Sequence, residues 1–275
     1  MILNKINDRI GNLSGRIGIY YLDLITGASC FAGNCDVFPS SGMAKIAVLL
    51  EVFRQLHVGQ LKKDDTYTLG EDYYFTLSHT EREPSYGALH FLHPGLVLTI
   101  KDLYSLMVTV SDNAAFNILL KKVGMEHVNE NMRNLGFQNI VVNREFFDYE
   151  KIANGIDNYH SVKEMGEIFR RLYMGQMISG KASEEIINLL KYHQRTNILP
   201  YYFKENQPIA HQSGFDEGRI HDMGIVYTDH PFILCMSADQ VDTRKAESVM
   251  RDIVLICYEN SENLYGKYKI KNLGI

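Results

Sequence analysis

The chain has 275 residues, of which 45% are hydrophobic and 22% charged. That composition supports one large or two smaller folded domains and excludes disorder as the dominant state. With 28 Lys+Arg against 33 Asp+Glu the formal net charge is −5, so no broad cationic field is available and neither nucleic acid nor an anionic membrane is an expected partner. No stretch of about 18 consecutive apolar residues occurs, so no membrane span is expected. Met1 to Ile10 lacks the uninterrupted apolar core of a signal peptide, and the chain as written reads as soluble and not exported. The four cysteines, Cys30, Cys35, Cys235 and Cys257, form no C-x-x-C pair. No metal site and no cofactor are expected, and Cys235 and Cys257, each in an apolar run, read as core residues.

Ile2, Ile6 and Ile10, spaced by four, predict a short amphipathic helix stopped by Gly11. Arg16 to Leu22 reads as a strand, Asp23 to Gly27 as a turn, and Ala28 to Ala32 as the returning strand. From Met43 the apolar positions Ile46, Ala47, Leu50, Phe53 and Leu56 follow a helical period, ending near Gly59. Thr99 with Asp102 resembles a capping box opening a helix from Ile100 to Val108. Asn113 to Val123 stops at Gly124, and Met125 to Leu135 stops at Gly136. Ser161 with Glu164 caps a helix to Tyr173, and Ser183 is expected to cap another from Glu184 to Tyr192. Residues 40–200 thus read as almost entirely helix and loop. Beyond Pro208 the period of two returns, in Gly218 to Tyr227 and Phe232 to Ser237, and Thr243 to Tyr258 closes as a helix. Strands at both ends can share one antiparallel sheet flanked by the terminal helices. The expected class is therefore α+β, with a discontinuous sheet domain (1–39 and 201–275), an inserted helical domain (40–200) and a cleft between them.

Three separated segments carry the chemistry. Ser111-Asp112-Asn113 falls between two predicted helices; Phe38-Pro39-Ser40-Ser41-Gly42-Met43-Ala44-Lys45 opens the central helix; His211-Gln212-Ser213-Gly214 sits on a predicted edge strand. Together they resemble the S-x-x-K, S-D-N and K-T-G set of class A β-lactamases and other penicillin-recognising serine hydrolases. The resemblance implies that fold over nearly the whole chain, with a β-lactam or a peptidoglycan peptide as the small ligand. It also implies roles. Ser111 would relay a proton to the leaving nitrogen, Asn113 would hold the ligand's side-chain amide, and Gln212, Ser213 and Gly214 would line the substrate edge. Members of this family are usually exported.

Two positions depart from the pattern. The nucleophile belongs one helical turn before Lys45, and the residue there is Gly42. Ser41 is the nearest hydroxyl, but one step along a helix turns a side chain by about 100° away from Lys45. A distorted helix start would be needed to bring it round, and otherwise Ser40 or Ser41 simply caps the helix. Gln212 stands where the family's lysine would bind a ligand carboxylate, with Arg219 and His221 farther along as candidate replacement charges. The deacylating carboxylate is also displaced. Taking Arg144 and Asp157 as the ion pair closing the family's Ω-loop puts Phe146 at the carboxylate position, with Glu145 one residue off and Glu150 in a second register. Three readings follow: a β-lactamase-like hydrolase impaired in acylation, a binding protein that keeps the cleft, or an active hydrolase using displaced Ser41. On the first, penicillin labels Gly42→Ser and not the chain as written.

Overall fold

The computed structural model describes residues 2–11, 13–70, 76–78, 81–82, 86–204 and 206–272. Helix α1 (Ile2–Ile10) is followed by β1 (Arg16–Asp23), β2 (Ser29–Gly33) and β3 (Val37–Pro39). A one-turn 3-10 helix (Ser41–Met43) leads into α2 (Ala44–His57). Next come β4 (Thr66–Thr68), β5 (Thr76–Ser78), β6 (Glu81–Arg82), β7 (Val97–Thr99), α3 (Ile100–Thr109), α4 (Asn113–Val123), α5 (Met125–Asn134) and α6 (Tyr149–Ala153). The chain then passes through β8 (Tyr159–Ser161), α7 (Val162–Tyr173) and α8 (Gly180–Leu190), and ends in β9 (Ile209–Asp216), β10 (Arg219–Val226), β11 (Phe232–Asp239) and α9 (Thr243–Asn272).

The strands from both ends of the chain form one antiparallel sheet in the order β2-β1-β11-β10-β9. One face buries Ile17, Ile19, Phe232, Leu234 and Met236 against Ile6 of α1 and Ile253 and Cys257 of α9. The other buries Leu22, Ala210, Met223 and Cys235 against the helical layer. Helix α7 can approach this face closely because Gly166 has no side chain: a Cβ there would lie 2.4 Å from the Tyr20 ring. Helix α2 runs through the middle of the helical layer and is buried on nearly every side from Ala44 to Phe53, as expected of a helix apolar around its whole circumference.

Most predicted elements appear with boundaries shifted by a residue or two, including the reciprocal Thr99/Asp102 capping box of α3. Three readings are corrected. Helix α8 is capped by Ser179, whose Oγ accepts from the Ala182 N–H, while Ser183 lies inside the helix and donates to the Met177 carbonyl. Helix α9 continues past Tyr258 to Asn272. Between residues 40 and 200 the chain also makes short ladders, β4 with β7, β5 with β6, and β8 with β3. The last of these positions the site, because β3 leads directly into the 3-10 turn before α2 and the Ser40 N–H donates to the Asn158 carbonyl. Among the described residues no helix is long and apolar enough to cross a membrane.

Candidate active site

Where α2 begins, the backbone is distorted. Ser41 has φ +42°, a left-handed conformation that is costly for a residue with a side chain and collects at functional sites. A second such residue, Ser111 at φ +55°, lies opposite in the turn between α3 and α4. Asp112 holds that turn in place. Its carboxylate caps α4 through the Ala115 N–H (2.9 Å) and also accepts from the Ala88 and Leu89 N–H groups (2.6 and 2.8 Å). This fastens the Tyr86–Leu89 segment to the turn, and the Asn113 N–H completes it on the Tyr86 carbonyl.

Lys45, on the first turn of α2, points between these two elements. Its Nζ lies 3.0 Å from Ser111 Oγ and 2.8 Å from Asn113 Oδ1. Lys45 is 1% exposed, and burial pushes its pKa down to about 7, opposed by the Asp112 carboxylate and aided by the Arg195 guanidinium. Near neutral pH the amine is therefore available as a base in part of the molecules, a condition for proton transfer from a hydroxyl.

A cavity of about 760 Å³ opens above this cluster, with Ser41, Gly42, Lys45, Ser111, Asn113 and Gly214 in its wall. Strand β9 forms one side, pressed closely on the 3-10 turn: a Cβ built on Gly42 would lie 2.5 Å from the Ser213 carbonyl oxygen and 3.1 Å from Gly214 Cα. Gly214 is held to glycine from its own side, since its Cβ would meet the Gly42 nitrogen at 3.0 Å. The place of a side chain at position 42 is filled by the backbone of β9.

Six of the expected site residues thus converge on the cavity, and the others lie elsewhere. Gln212 is fully buried behind the wall, its Nε2 donating to the Ser213 carbonyl (3.2 Å) and its Oε1 without a hydrogen-bond partner among the described residues. Ser213 Oγ bonds His193 Nε2 (2.8 Å), while His193 Nδ1 meets the Val108 carbonyl (2.7 Å). Since a carbonyl can only accept, Nδ1 carries the proton and Nε2 accepts from the serine. Ser41 Oγ and Ser40 Oγ are buried without hydrogen-bond partners among the described residues, so the distorted helix start does not join Ser41 to Lys45.

The Arg144–Asp157 pair expected of the loop is formed, with Nη2 to Oδ1 at 2.8 Å and Nε to Oδ1 at 3.1 Å. Phe146 sits above Lys45, its ring centroid 4.7 Å from Nζ. Asn117 clamps its backbone, accepting from the Phe146 N–H (2.9 Å) and donating to its carbonyl (3.0 Å). An aromatic face, and neither the Glu145 nor the Glu150 carboxylate, thus lies over the Lys45 amine. Glu145 turns outward to Lys121 (3.2 Å), and Glu150 is exposed on α6.

Neither suggested replacement for the missing lysine charge reaches the cavity. Arg219 is held by Asp157 and Asp239, both at 3.0 Å, and His221 is completely buried. Besides Lys45 and Arg144, the latter paired with Asp157, the wall holds Arg195, which the motifs gave no reason to single out. It lies over Phe215 (3.9 Å to the ring centroid) and Tyr86 (4.4 Å), and no carboxylate pairs with it among the described residues. Two aromatic faces hold the guanidinium in place. Tyr86, Phe146, Phe147, Tyr149 and Phe215 make the mouth of the cavity largely aromatic.

A family model described as the beta-lactamase enzyme family matches residues 2–261. No curated protein matches the chain. Among solved structures, the fold is similar to a beta-lactamase from Sphaerobacter thermophilus at 20% identity, with a TM-score of 0.84 over 95% of this chain and 97% of that one. It is also similar to a point mutant of PBP-A in an acyl-enzyme complex with penicillin G (21% identity, TM-score 0.82, 95% and 96% covered). The TLA-1 extended-spectrum beta-lactamase gives 16% identity and a TM-score of 0.82, with 94% and 97% covered. At these identities the likeness concerns the fold.

Proposed function

The chain belongs to the beta-lactamase enzyme family, a family of penicillin-binding serine hydrolases, and we propose from this that it is a member whose cleft recognises a carboxylate-bearing acyl peptide or β-lactam while the family's acylation route through position 42 is closed. The observation that carries the reading is the contrast at the head of α2. Lys45, Ser111 and Asn113 keep a connected hydrogen-bond network, but the residue one turn before Lys45 is a glycine packed on the Ser213 carbonyl. Without a hydroxyl there, the covalent intermediate of that route cannot form, and loss of a serine nucleophile leaves only residual rates. With Phe146 at the loop position facing Lys45, the described loop offers no carboxylate beside the amine to activate a deacylating water.

Recognition can persist without that route. Arg195, held between Tyr86 and Phe215, supplies a cation for a carboxylate, and Asn113 can engage an amide. The displaced-Ser41 reading is disfavoured, because the hydrogen bonds of Lys45 go to Ser111 and Asn113.

The test is calorimetric titration with an N-acyl-D-Ala-D-Ala peptide, whose amide is slow to react. Saturable binding is expected, and Arg195→Ala should weaken it by roughly 10- to 100-fold, the worth of a hydrogen bond to a charged group. No binding, or binding indifferent to Arg195, would overturn the reading. So would an acyl adduct on Ser41 after treatment with penicillin.

A further inference from the structure

Removing the hydroxyl at position 42 does not leave Lys45 without one. The buried amine keeps two partners at the cavity wall, Ser111 Oγ at 3.0 Å and Asn113 Oδ1 at 2.8 Å. A neutral amine has two N–H donors and one lone pair. The charged amine donates to both oxygens; once it has lost a proton, one N–H can stay on the amide oxygen, which can only accept, while the lone pair can take the Ser111 O–H. Ser111 is presented by a left-handed backbone (φ +55°) that Asp112 secures through the Ala115, Ala88 and Leu89 N–H groups. Its hydroxyl is therefore fixed in a geometry where the base is already in contact, which is the arrangement of serine–lysine nucleophiles in general.

We propose that Ser111, with Lys45 as its base, is the acyl-accepting hydroxyl of this cleft, taking an acyl group from strained or activated carbonyl ligands such as β-lactams. The proposal rests on the preceding reading only in requiring that the cleft admit such ligands.

The step balances within these groups. Ser111 Oγ bonds to the carbonyl carbon as its proton passes to Lys45 Nζ, and the carbonyl π pair moves onto oxygen. When the tetrahedral adduct collapses, the C–N bond of the ring breaks. The departing nitrogen takes the proton back from Lys45, leaving an ester on Ser111 and a neutral lysine. Hydrolysis of that ester needs an activated water, and Phe146 covers Lys45 from the loop side. The product is accordingly a stoichiometric adduct without turnover.

The experiment treats the unmodified protein with a fluorescent penicillin at pH 5.5 to 9, followed by intact mass and peptide mapping. One adduct per chain is expected, on the peptide holding Ser111. Its rate should rise about tenfold per pH unit below 7 and level off above, because the reactive form is the neutral amine of Lys45. The titratable and charged groups around that amine are Asp112, Arg195, Arg144 and the neutral His193, with Asp216 and Glu217 across the cavity. Ser111→Ala should abolish the adduct, and its melting temperature reports whether it is folded. The mapping on the unmodified chain decides even if that variant is not. An adduct on another residue, or a rate flat across pH 7, overturns the proposal. If the D-Ala-D-Ala peptide binds but penicillin leaves no adduct, Ser111 is not the acceptor and the recognition reading stands. If the peptide does not bind while an adduct forms on Ser111, the reverse holds.

Discussion

A single missing side chain at position 42 has two consequences, and the packing separates them. The first, loss of a nucleophile, follows from the spacing to Lys45. The second is that β9 occupies the vacated volume: both nearest atoms to a Cβ on Gly42, the Ser213 carbonyl oxygen at 2.5 Å and Gly214 Cα at 3.1 Å, belong to backbone. Backbone in a five-stranded sheet cannot rotate away as a flexible side chain can. Gly42→Ser is thus expected to lose about 1–3 kcal/mol of stability, the range for overpacking a filled interior, measured by urea unfolding at pH 7. It is also not expected to gain a penicillin adduct on its new serine, contrary to the sequence-based expectation that restoring the hydroxyl restores acylation. A variant as stable as the parent would show that β9 yields readily. Motif resemblance explains which residues were legible. Lys45, Ser111 and Asn113 lie in short motifs that the family resemblance brings together, although Lys45 is more than 60 residues from the other two. Arg195 lies in a loop with no such motif, and its role depends on Tyr86 and Phe215, each many residues away, closing on its two sides.

Among the elements, the loop from Arg144 to Asn158 shows how a segment with little regular structure is held. Asp157 accepts from Arg144 and from Arg219 of β10, Asn158 Oδ1 accepts from the Asn143 and Arg144 N–H groups, and Asn117 of α4 clamps Phe146. Arg144 is only 8% exposed at its side chain, so deleting its partner strands a largely buried charge. Asp157→Ala is expected to cost about 3 kcal/mol and to accelerate amide hydrogen exchange across residues 143–158 before the rest of the chain. Unchanged exchange there would mean that the asparagine clamps alone hold the loop. The Arg144–Asp157 pairing is expected only because the segment resembles the family's Ω-loop, which an Arg–Asp pair closes; the two residues alone do not announce it. The start of α8 could not be read from the sequence. Ser179 and Ser183 are four apart and both can cap, and Gly180 lowers the helix propensity of the turn between them. The choice is settled by Met177, whose buried N–H and carbonyl both engage Ser183 from outside the helix.

Across the whole molecule, the sheet meets the helical layer through histidines that composition alone marks as unremarkable. His160 and His221 are completely buried with ring centroids 4.9 Å apart, and His193 meets His211 of β9 edge to face at 4.8 Å. Burial holds His193 and His221 down to about 3 and depresses His160 well below its ordinary value. The neighbouring His211, Lys45 and Arg195 add to the effect on His193, Arg219 to that on His221, and His221 to that on His160. The folded protein therefore keeps His160, His193 and His221 neutral, while the unfolded chain protonates them near 6.5. The sign follows. Between about pH 6.5 and 3 the unfolded state binds more protons, so stability falls with falling pH, by about 1.4 kcal/mol per pH unit for each histidine fully in that window. His193 and His221 together give about 3 kcal/mol per unit, enough to exhaust a typical margin of about 5–15 kcal/mol within a few units. Urea unfolding between pH 7 and 4 should show a steep loss of stability beginning near 6.5, and His221→Leu should reduce its slope by about one proton. A profile level down to pH 4.5 would mean that these rings reach water in the folded state, in which case the tight seam between β9, β10 and the helical layer, on which the closed space at Gly42 also depends, is looser than the packing implies.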